Sequence, residues 1–324
     1  MMSKLRKMNV NSNLILWINN FLTHRPQYVN FQGAKSSVIT TNVGAPQGCV
    51  LSPILFTIYT SDCVSRAENC QLFKYADDTV LVGRCDGDDT AYREEVEKFV
   101  AWCTSNYLEL NVKKTKEMIV DYSTSPLDHP PLFVNGETVE RVQEYKYLGT
   151  IIDNKFSFNS NVETLYKKTN SRLYFVRQLS KLKIETKIMD IFYSAIIQSV
   201  LSFNITCWYG NCKLELKNKL CKLMKNCGKL GVQNIIPLIE IYKKATARRC
   251  EAIQRDSMHP LNQYYQMLPS GRRLRSLYCR TARYSKSFVP SSIKMLNEQL
   301  RSTSGKERKL MYIPCVFSRC GLTV

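Results

Sequence analysis

The stretch Leu72-Phe73-Lys74-Tyr75-Ala76-Asp77-Asp78-Thr79-Val80-Leu81-Val82-Gly83 restricts the fold more than any other part of the chain. Apolar and aromatic residues flank a pair of carboxylates on both sides, the pattern of two strands that meet at a tight turn and carry the acids at its tip. Successive strand residues point to opposite faces, so adjacent aspartates can serve one site only where a turn tilts them together. A hairpin tip meets that condition and a flat strand does not. Asp is also a favoured turn residue, so the pair taken alone is equally compatible with a plain surface turn.

The neighbouring segments supply context. Residues 14–22, LILWINNFL, are apolar at helical spacing, and the following THRPQYVNFQGAKSSVITTNVG reads as two short strands turning at Gly33. In GAPQGCVLSPILFTIYTSD, Pro46 and Gly48 mark a turn. Ser52 is placed to cap a helix whose first residue is Pro53 and which runs towards Asp62. Asp86, Asp88 and Asp89 precede a second helix with Val96, Phe99, Val100, Cys103 and Tyr107 as its apolar stripe, where acids suit the N-terminal dipole better than a metal. LELNVKKTKEMIVDY is a lysine-rich loop leading to a strand, and EYKYLGTIID, residues 144–153, is a further strand with a glycine turn. Strand and helix signals alternate to this point, as in an α+β fold.

After residue 160 the pattern becomes helical. NVETLYKKTNSRLYFVRQLSKL sets Val162, Leu165, Thr169, Leu173 and Val176 on one side, with Lys167, Lys168, Arg172 and Lys181 largely elsewhere. Such a face either meets phosphates or is simply solvated. The apolar run 188–209 contains Asp190 and Asn204 and reads as a buried helix, not a membrane span. Residues 207–300 are mostly helical, broken by Pro237, Pro260, Pro269, Gly271 and Pro290. Within them SGRRLRSLYCRTARYSKSF interleaves Arg272, Arg273, Arg275, Arg280 and Arg283 with Tyr278, Tyr284 and Phe288, a composition suited both to nucleic acid and to an exposed basic loop. Residues 301–324 have no clear period and read as a flexible tail.

Charge divides the chain at the same place. Residues 1–154 hold 15 Lys and Arg against 18 Asp and Glu, a net −3, whereas residues 155–324 hold 31 against 9, a net +22. An acidic half that could hold metal ions thus precedes a basic half that could hold phosphates, which favours a polyanionic partner such as nucleic acid or an acidic membrane surface over the alternative of a merely soluble basic domain. With 44% hydrophobic residues in 324, the chain can bury a sizeable core in two or three domains, which excludes wholesale disorder. Thirteen cysteines include no CxxC pair, three histidines stand apart, and Cys315 and Cys320 lack a second pair, so no structural zinc is expected. MMSKLRKMNV has no apolar secretory core. The expected location is a reducing intracellular compartment, nuclear or cytoplasmic, with no membrane partner.

Taken together, Pro46-Gln47-Gly48, Leu51-Ser52-Pro53, Tyr75-Ala76-Asp77-Asp78, Leu108-Glu109-Leu110-Asn111 with Lys114-Thr115-Lys116, and Tyr147-Leu148-Gly149 follow one another in an order that resembles the palm of reverse transcriptases of non-LTR (LINE-type) retrotransposons. Cys207-Trp208-Tyr209-Gly210-Asn211 and Leu268-Pro269-Ser270-Gly271-Arg272-Arg273 resemble the regions beyond the palm in vertebrate LINE elements. The resemblance implies a partial fingers and palm domain over residues 1–154, a truncated palm with a mainly antiparallel sheet packed by helices. It further implies a helical thumb-like region over 155–206, a basic helical region over 207–300 and the tail over 301–324.

The activity implied is RNA-directed DNA synthesis on an RNA template from a DNA primer or target, using deoxynucleotides and Mg2+, with Mn2+ as an alternative. By resemblance Asp77 is the leading metal ligand, and Asp78 is either a second ligand or a nearby charge. Two ions roughly 3.5–4 Å apart can activate the attacking oxygen and neutralise the leaving one. Tyr75 and Ala76 resemble positions beside the primer end, although Tyr75 also suits plain strand packing. Gln47 and Gly48 resemble the turn against the template and nucleotide, where Gly48 either admits close approach or only makes the turn. Lys114 resembles the lysine that meets the triphosphate and protonates pyrophosphate, with Lys113 and Lys116 close enough to share the assignment. Arg25 and Gln27 resemble a segment that either contacts template or caps its hairpin. Lys167, Lys168, Arg172, Arg272, Arg273 and Arg275 are the nucleic-acid-binding candidates.

One family element does not match: an earlier strand that ends in an Asp sharing the metals. Lys4-Leu5-Arg6-Lys7-Met8 resembles the helix that follows that strand, so the sequence is expected to start just downstream of it. Glu68, Asp62 and Asp86 have no spacing that would replace it. Weak metal binding and little polymerase activity follow as expectations, since a misplacement of about 1 Å can cost ~100-fold in rate. The alternative is a noncatalytic nucleic-acid-binding remnant of a transposable element. A central strand left out would also expose hydrogen-bonding edges on its neighbours.

Overall fold

A computed structural model describes residues 1–123 and 129–303. The chain is α+β, with short ladders set among helices, and it forms two compact units. One comprises Met1–Glu117 and Ser123–Arg141, and the other Met118–Tyr122 and the described residues from Val142 onward.

In the first unit, α1 (Met2–Lys7) and α2 (Ser12–Leu22) share a small core with α3 (Leu51–Tyr59), built from Leu5, Ile15, Ile18 and Leu55. Between α2 and α3, β1 (Arg25–Gln27) pairs with β4 (Ile39–Thr41) and β2 (Asn30–Phe31) with β3 (Ala34–Lys35), both antiparallel. Gln32 and Gly33 close the inner ladder with φ of 50° and 88°, a two-residue turn of positive φ that twists with its strands. The expected turn at Gly33 is therefore there, with two nested ladders.

Helix α3 departs from expectation at both ends. Val50 is its N-cap, and Ser52 lies inside the first turn, where its hydroxyl donates to the Pro46 carbonyl (2.5 Å). The serine thus ties the preceding turn to the helix instead of capping it. The helix stops at Tyr59, and the hydroxyls of Thr60 and Ser61 fold back on the carbonyls of Phe56 (3.1 Å) and Ile58 (2.7 Å).

The carboxylate-bearing stretch forms β5 (Cys70–Tyr75) and β6 (Asp78–Gly83), paired from Cys70–Gly83 to Tyr75–Asp78. Helix α4 (Thr90–Ser105) packs against it so closely that a Cβ on Gly83 would lie 2.7 Å from the Tyr92 ring. Tyr107 leaves the expected apolar stripe: it follows the helix with φ 54° and is 96% exposed. A second small core joins Val96 to Leu132, Val134 and Val139. The unit ends with β7 (Lys116–Glu117), the β8 (Phe133–Val134) and β9 (Glu137–Thr138) hairpin, and β10 (Glu140–Arg141), which runs parallel to β7. Among the described residues each ladder has only two strands, so the expected antiparallel sheet exists as separate pairs. Short turns give most strands a local partner, and among the described residues no third strand lies along their outer edges.

The second unit opens with β11 (Glu144–Tyr147) and β12 (Thr150–Asp153), joined by Leu148 and Gly149, both at positive φ. The Asp153 carboxylate then accepts from the amides of Lys155 (3.0 Å), Ser157 (3.1 Å) and Phe158 (2.7 Å), organising the approach to α5 (Asn159–Lys181). Helix α6 (Thr186–Tyr193) continues through a π-helical segment, Ser194–Gln198, into α7 (Ser199–Ser202). Asn204, at φ 47°, starts α8 (Ile205–Trp208), which is followed by α9 (Leu214–Lys229) and α10 (Leu238–Arg255). One continuous core gathers Val162, Leu173, Tyr193, Leu201, Trp208 and Leu220.

A smaller core around Ile253, Tyr265, Leu274 and Ile293 links α10 to α12 (Phe288–Thr303), which is preceded by α11 (Ala282–Lys286). Pro237 caps α10, whereas Pro290 sits in the first turn of α12, where a missing N–H is harmless, and does not interrupt it. Among the described residues no helix is long and apolar enough to cross a membrane. The expected tail beyond residue 303, with Cys315 and Cys320, lies outside the described residues.

Candidate active site

Local sequence raises the carboxylate pair on a narrow support. The β5–β6 loop contains only Ala76 and Asp77, and Ala76 takes φ 52°, a left-handed conformation that a residue with a Cβ holds at a cost of about 1 kcal/mol or more. Asp77 therefore stands at the tip and Asp78 opens β6, opposite Tyr75. Both carboxylates are exposed, and among the described residues neither has a hydrogen-bond or ion-pair partner. Tyr75 is 64% exposed, so strand packing does not consume its ring.

One brace that the sequence reading missed comes from Lys74. It lies on the ladder face opposite Tyr75, and its Nζ donates to the carbonyls of Thr60 and Cys63 (2.7 Å), holding the hairpin to the end of α3. The same corner is fixed by Lys4, which donates to the Tyr59 carbonyl (2.5 Å) and to Asp62 Oδ1 (2.7 Å) beside the Tyr59 and Trp102 rings. Burial opposes charge on Asp62, yet Lys4 outweighs it and keeps the carboxyl below its ordinary range. Strand alternation puts Lys74 on the face of Cys70 and Leu72, the one available signal, but nothing local named the carbonyls it would meet.

The other candidates occupy turns. Gly48 has φ 79° and open space where a Cβ would lie, so its backbone conformation, and not crowding, calls for glycine. Gln47 beside it is exposed. Arg25 donates from its guanidinium to the carbonyls of Val43 (2.6 Å) and Gly44 (3.0 Å), bracing the segment that leads to that turn, while its buried Nε has no partner among the described residues. Gln27 is exposed on β1.

In the lysine segment, Asn111 forms the turn: its Oδ1 accepts from the Lys114 amide (3.1 Å), and its carbonyl accepts from the Thr115 hydroxyl (2.9 Å). Lys116 is committed to Glu140 (2.5 Å) and the Lys113 carbonyl (2.9 Å), whereas the Lys114 ammonium is exposed and has no partner among the described residues. No hydrogen bond or ion pair among those residues joins Lys114 to the two aspartates.

The donor set suits a hard cation. Exposed carboxylate oxygens on adjacent residues can hold Mg2+, which keeps several of its waters. The described residues contain no cluster of three or more acidic, His or Cys side chains. Asp62 is engaged by Lys4 and Asp86 by Arg84 (2.8 Å), so neither joins the pair.

The basic candidates lie in the second unit. Lys167 and Lys168 are exposed on α5, while Arg172 turns inward to donate to the Ile196 carbonyl (2.5 Å). Arg272, Arg273 and Arg275 stand exposed on a tight turn closed by Gly271 N–H to the Leu268 carbonyl (2.8 Å) and Arg275 N–H to the Gln266 carbonyl (2.8 Å). Asn297 of α12 anchors this turn from behind, accepting from the Leu274 amide (2.8 Å) and donating to its carbonyl (3.0 Å).

Residues 1–152 match the family model described as reverse transcriptase (RNA-dependent DNA polymerase). A second model, described as the N-terminal part of alkylated DNA repair protein alkB homolog 8, matches residues 158–199, the helical stretch from α5 to the start of α7. Among individual relatives, the RNA-directed DNA polymerase from mobile element jockey of Drosophila melanogaster is 25% identical over 221 residues, covering 64% of this chain and 24% of the relative. Its counterpart from jockey of Drosophila funebris is 28% identical over 202 residues, 58% of this chain and 22% of the relative. The probable RNA-directed DNA polymerase from transposon X-element of Drosophila melanogaster is 25% identical over 232 residues, 65% of this chain and 25% of the relative. The chain thus spans about a quarter of the length of these relatives. The resemblance to polymerases of non-LTR mobile elements holds, and residues 1–152 are similar to the reverse transcriptase (RNA-dependent DNA polymerase) family.

Proposed function

We propose that the chain is part of an RNA-directed DNA polymerase of a LINE-type element, with residues 1–154 as a partial palm, 155–206 as a thumb-like region and 207–300 as a basic nucleic-acid-holding region. The observation that carries this reading is the unpartnered Asp77–Asp78 pair raised on a braced hairpin tip within a reverse transcriptase family segment. RNA template, DNA primer or target, and deoxynucleotides are the partners, within the cell.

Asp77 and Asp78 would hold Mg2+, or Mn2+ in its place, which when bound supplies charge neutralisation at the attacking and leaving oxygens. The hairpin keeps the two carboxylates apart from internal cations, so their negative charge is available to a ligand. Tyr75 and Ala76 border the primer end, where the small Ala76 side chain leaves room for a sugar. Lys114 has a free ammonium among the described residues, as does its neighbour Lys113, and by the family resemblance it is Lys114 that meets the triphosphate and donates a proton to departing pyrophosphate. Gln47 and Gly48 border the templating base, with Arg25 holding their loop and Gln27 beside it.

A polypeptide of these residues alone has two carboxylates to offer at the tip, so it binds Mg2+ weakly and extends primers slowly. The test is metal-dependent incorporation of deoxynucleotides on a primed RNA template. Incorporation that disappears on Asp77→Ala supports the reading, and incorporation unchanged by that substitution removes it.

A second reading is favoured by the +22 charge of residues 155–324 and the exposed arginines. It is a noncatalytic nucleic-acid-binding remnant, whose salt-dependent binding survives Asp77→Ala and weakens when Arg272, Arg273 and Arg275 are neutralised.

A further inference from the structure

We propose that the outward face of α5 binds an unpaired nucleic-acid strand by stacking bases on Tyr174 and Phe175. The inference rests on the nucleic-acid reading given above and specifies the strand's chemistry.

In the middle of the helix, Leu173 and Val176 are buried at 2% and 1% exposure, whereas Tyr174 and Phe175 between them are 56% and 54% exposed. Their ring centroids are 5.5 Å apart in an edge-on arrangement. Two large rings are therefore left in water on a helix that buries its apolar stripe in the unit's core. Between Glu163 and Glu185 the sequence contains Lys167, Lys168, Arg172, Arg177, Lys181 and Lys183 and no acidic residue. Arg172 is used internally, and the other five are exposed.

Helical geometry arranges these groups usefully. Lys167 and Lys181 each lie seven residues from Tyr174, close to two turns, and Arg177 lies three residues beyond it, so ring and cations share one stripe. An aromatic platform flanked by cations, with no carboxylate between Glu163 and Glu185 along the sequence, matches a ligand that offers flat faces and phosphates together. A duplex hides its base faces, so exposed rings add little to its binding, whereas an unpaired strand can use both elements. A basic helix can also lie on an anionic membrane, but it does so with its apolar stripe. Here that stripe, Val162, Leu173 and Val176, is already committed to the core.

The test uses the whole 324-residue chain and fluorescence anisotropy with labelled oligothymidylate and a blunt duplex of equal length. Replacing both rings (Tyr174→Ala with Phe175→Ala) is expected to weaken oligothymidylate binding roughly tenfold and duplex binding by less than about twofold. The salt slope should stay unchanged, because no phosphate contact is lost. The aromatic swap Tyr174→Phe with Phe175→Tyr keeps the affinity, and Arg177→Gln with Lys181→Gln lowers the salt slope for both ligands. Both rings are exposed, and far-UV circular dichroism of each variant checks the fold. Equal losses for strand and duplex, or no loss, overturn the inference while leaving nucleic-acid binding intact. Wild-type chain that binds phosphatidylserine vesicles but neither oligonucleotide overturns both this inference and the reading beneath it.

Discussion

The first unit spreads its buried apolar side chains over two small clusters, Leu5, Ile15, Ile18 and Leu55 in one and Val96, Leu132, Val134 and Val139 in the other. The second gathers Val162, Leu173, Tyr193, Trp208, Leu220 and their neighbours into a continuous core. Burial supplies most of the stability of a fold, so the unit bearing the Asp77–Asp78 hairpin should be the less stable. The hairpin itself illustrates the point: Phe73, Tyr75 and Val82, on the face away from Lys74, are half or more exposed. The candidate site residues Asp77 and Asp78 thus sit in the part of the molecule that would gain most from a bound ligand.

The contrast can be broken most sharply in the large core. Leu220→Ala should destabilise the second unit by about 3 kcal/mol, read as loss of its urea-unfolding transition at lower denaturant. A transition common to both units that shifts as one would show that they do not unfold separately. Next, hydrogen exchange should find the amides of β5 and β6 exchanging on the order of 100-fold faster than those of α5 and α9. Equal protection would mean the hairpin is as stable as the core despite its exposed face.

A smaller effect is expected at Asp153. Burial raises its pKa, but three backbone amides and the Ser157 hydroxyl outweigh burial and hold it below the ordinary carboxylate value. A depressed folded-state pKa stabilises above the unfolded value near about 3.9 and is lost as pH falls through the folded one. Asp153→Asn should therefore cost roughly 1–2 kcal/mol at neutral pH, shrinking towards nothing in strong acid, which a pair of melting curves would measure. The smallest effect belongs to Lys74→Met. It removes the brace to Thr60 and Cys63 at about 1 kcal/mol and should slow any primer extension while leaving oligonucleotide affinity unchanged.

Much of this arrangement was legible in local pattern. Alternation around Asp77 and Asp78 gave the hairpin, and LILWINNFL gave α2 within two residues. The α5 stripe of Val162, Thr169, Leu173 and Val176 is buried as its spacing required. What local pattern could not supply were partners distant along the chain. The hydroxyl of Ser52 found a carbonyl six residues back in place of its own helix end, and Arg172 turned into the core to meet Ile196 although its spacing placed it among exposed cations. Separation of Lys114 from Lys116 likewise depends on Glu140, which lies beyond the intervening β8–β9 hairpin. The exposed rings of Tyr174 and Phe175 were hidden in plain view, since periodicity marks what is buried and is silent about what an outer face might hold.

The two hydrogen bonds from Asn297 to Leu274 carry a consequence for how the molecule can be shortened. One amide side chain occupies the place that an adjoining strand would take, so the spacing of three arginines is dictated by a helix more than twenty positions later. Clipping the polypeptide ahead of that asparagine would leave the guanidinium groups of Arg272, Arg273 and Arg275 present and yet scatter the array, so a protease-trimmed sample would keep the charge of this turn while losing its geometry.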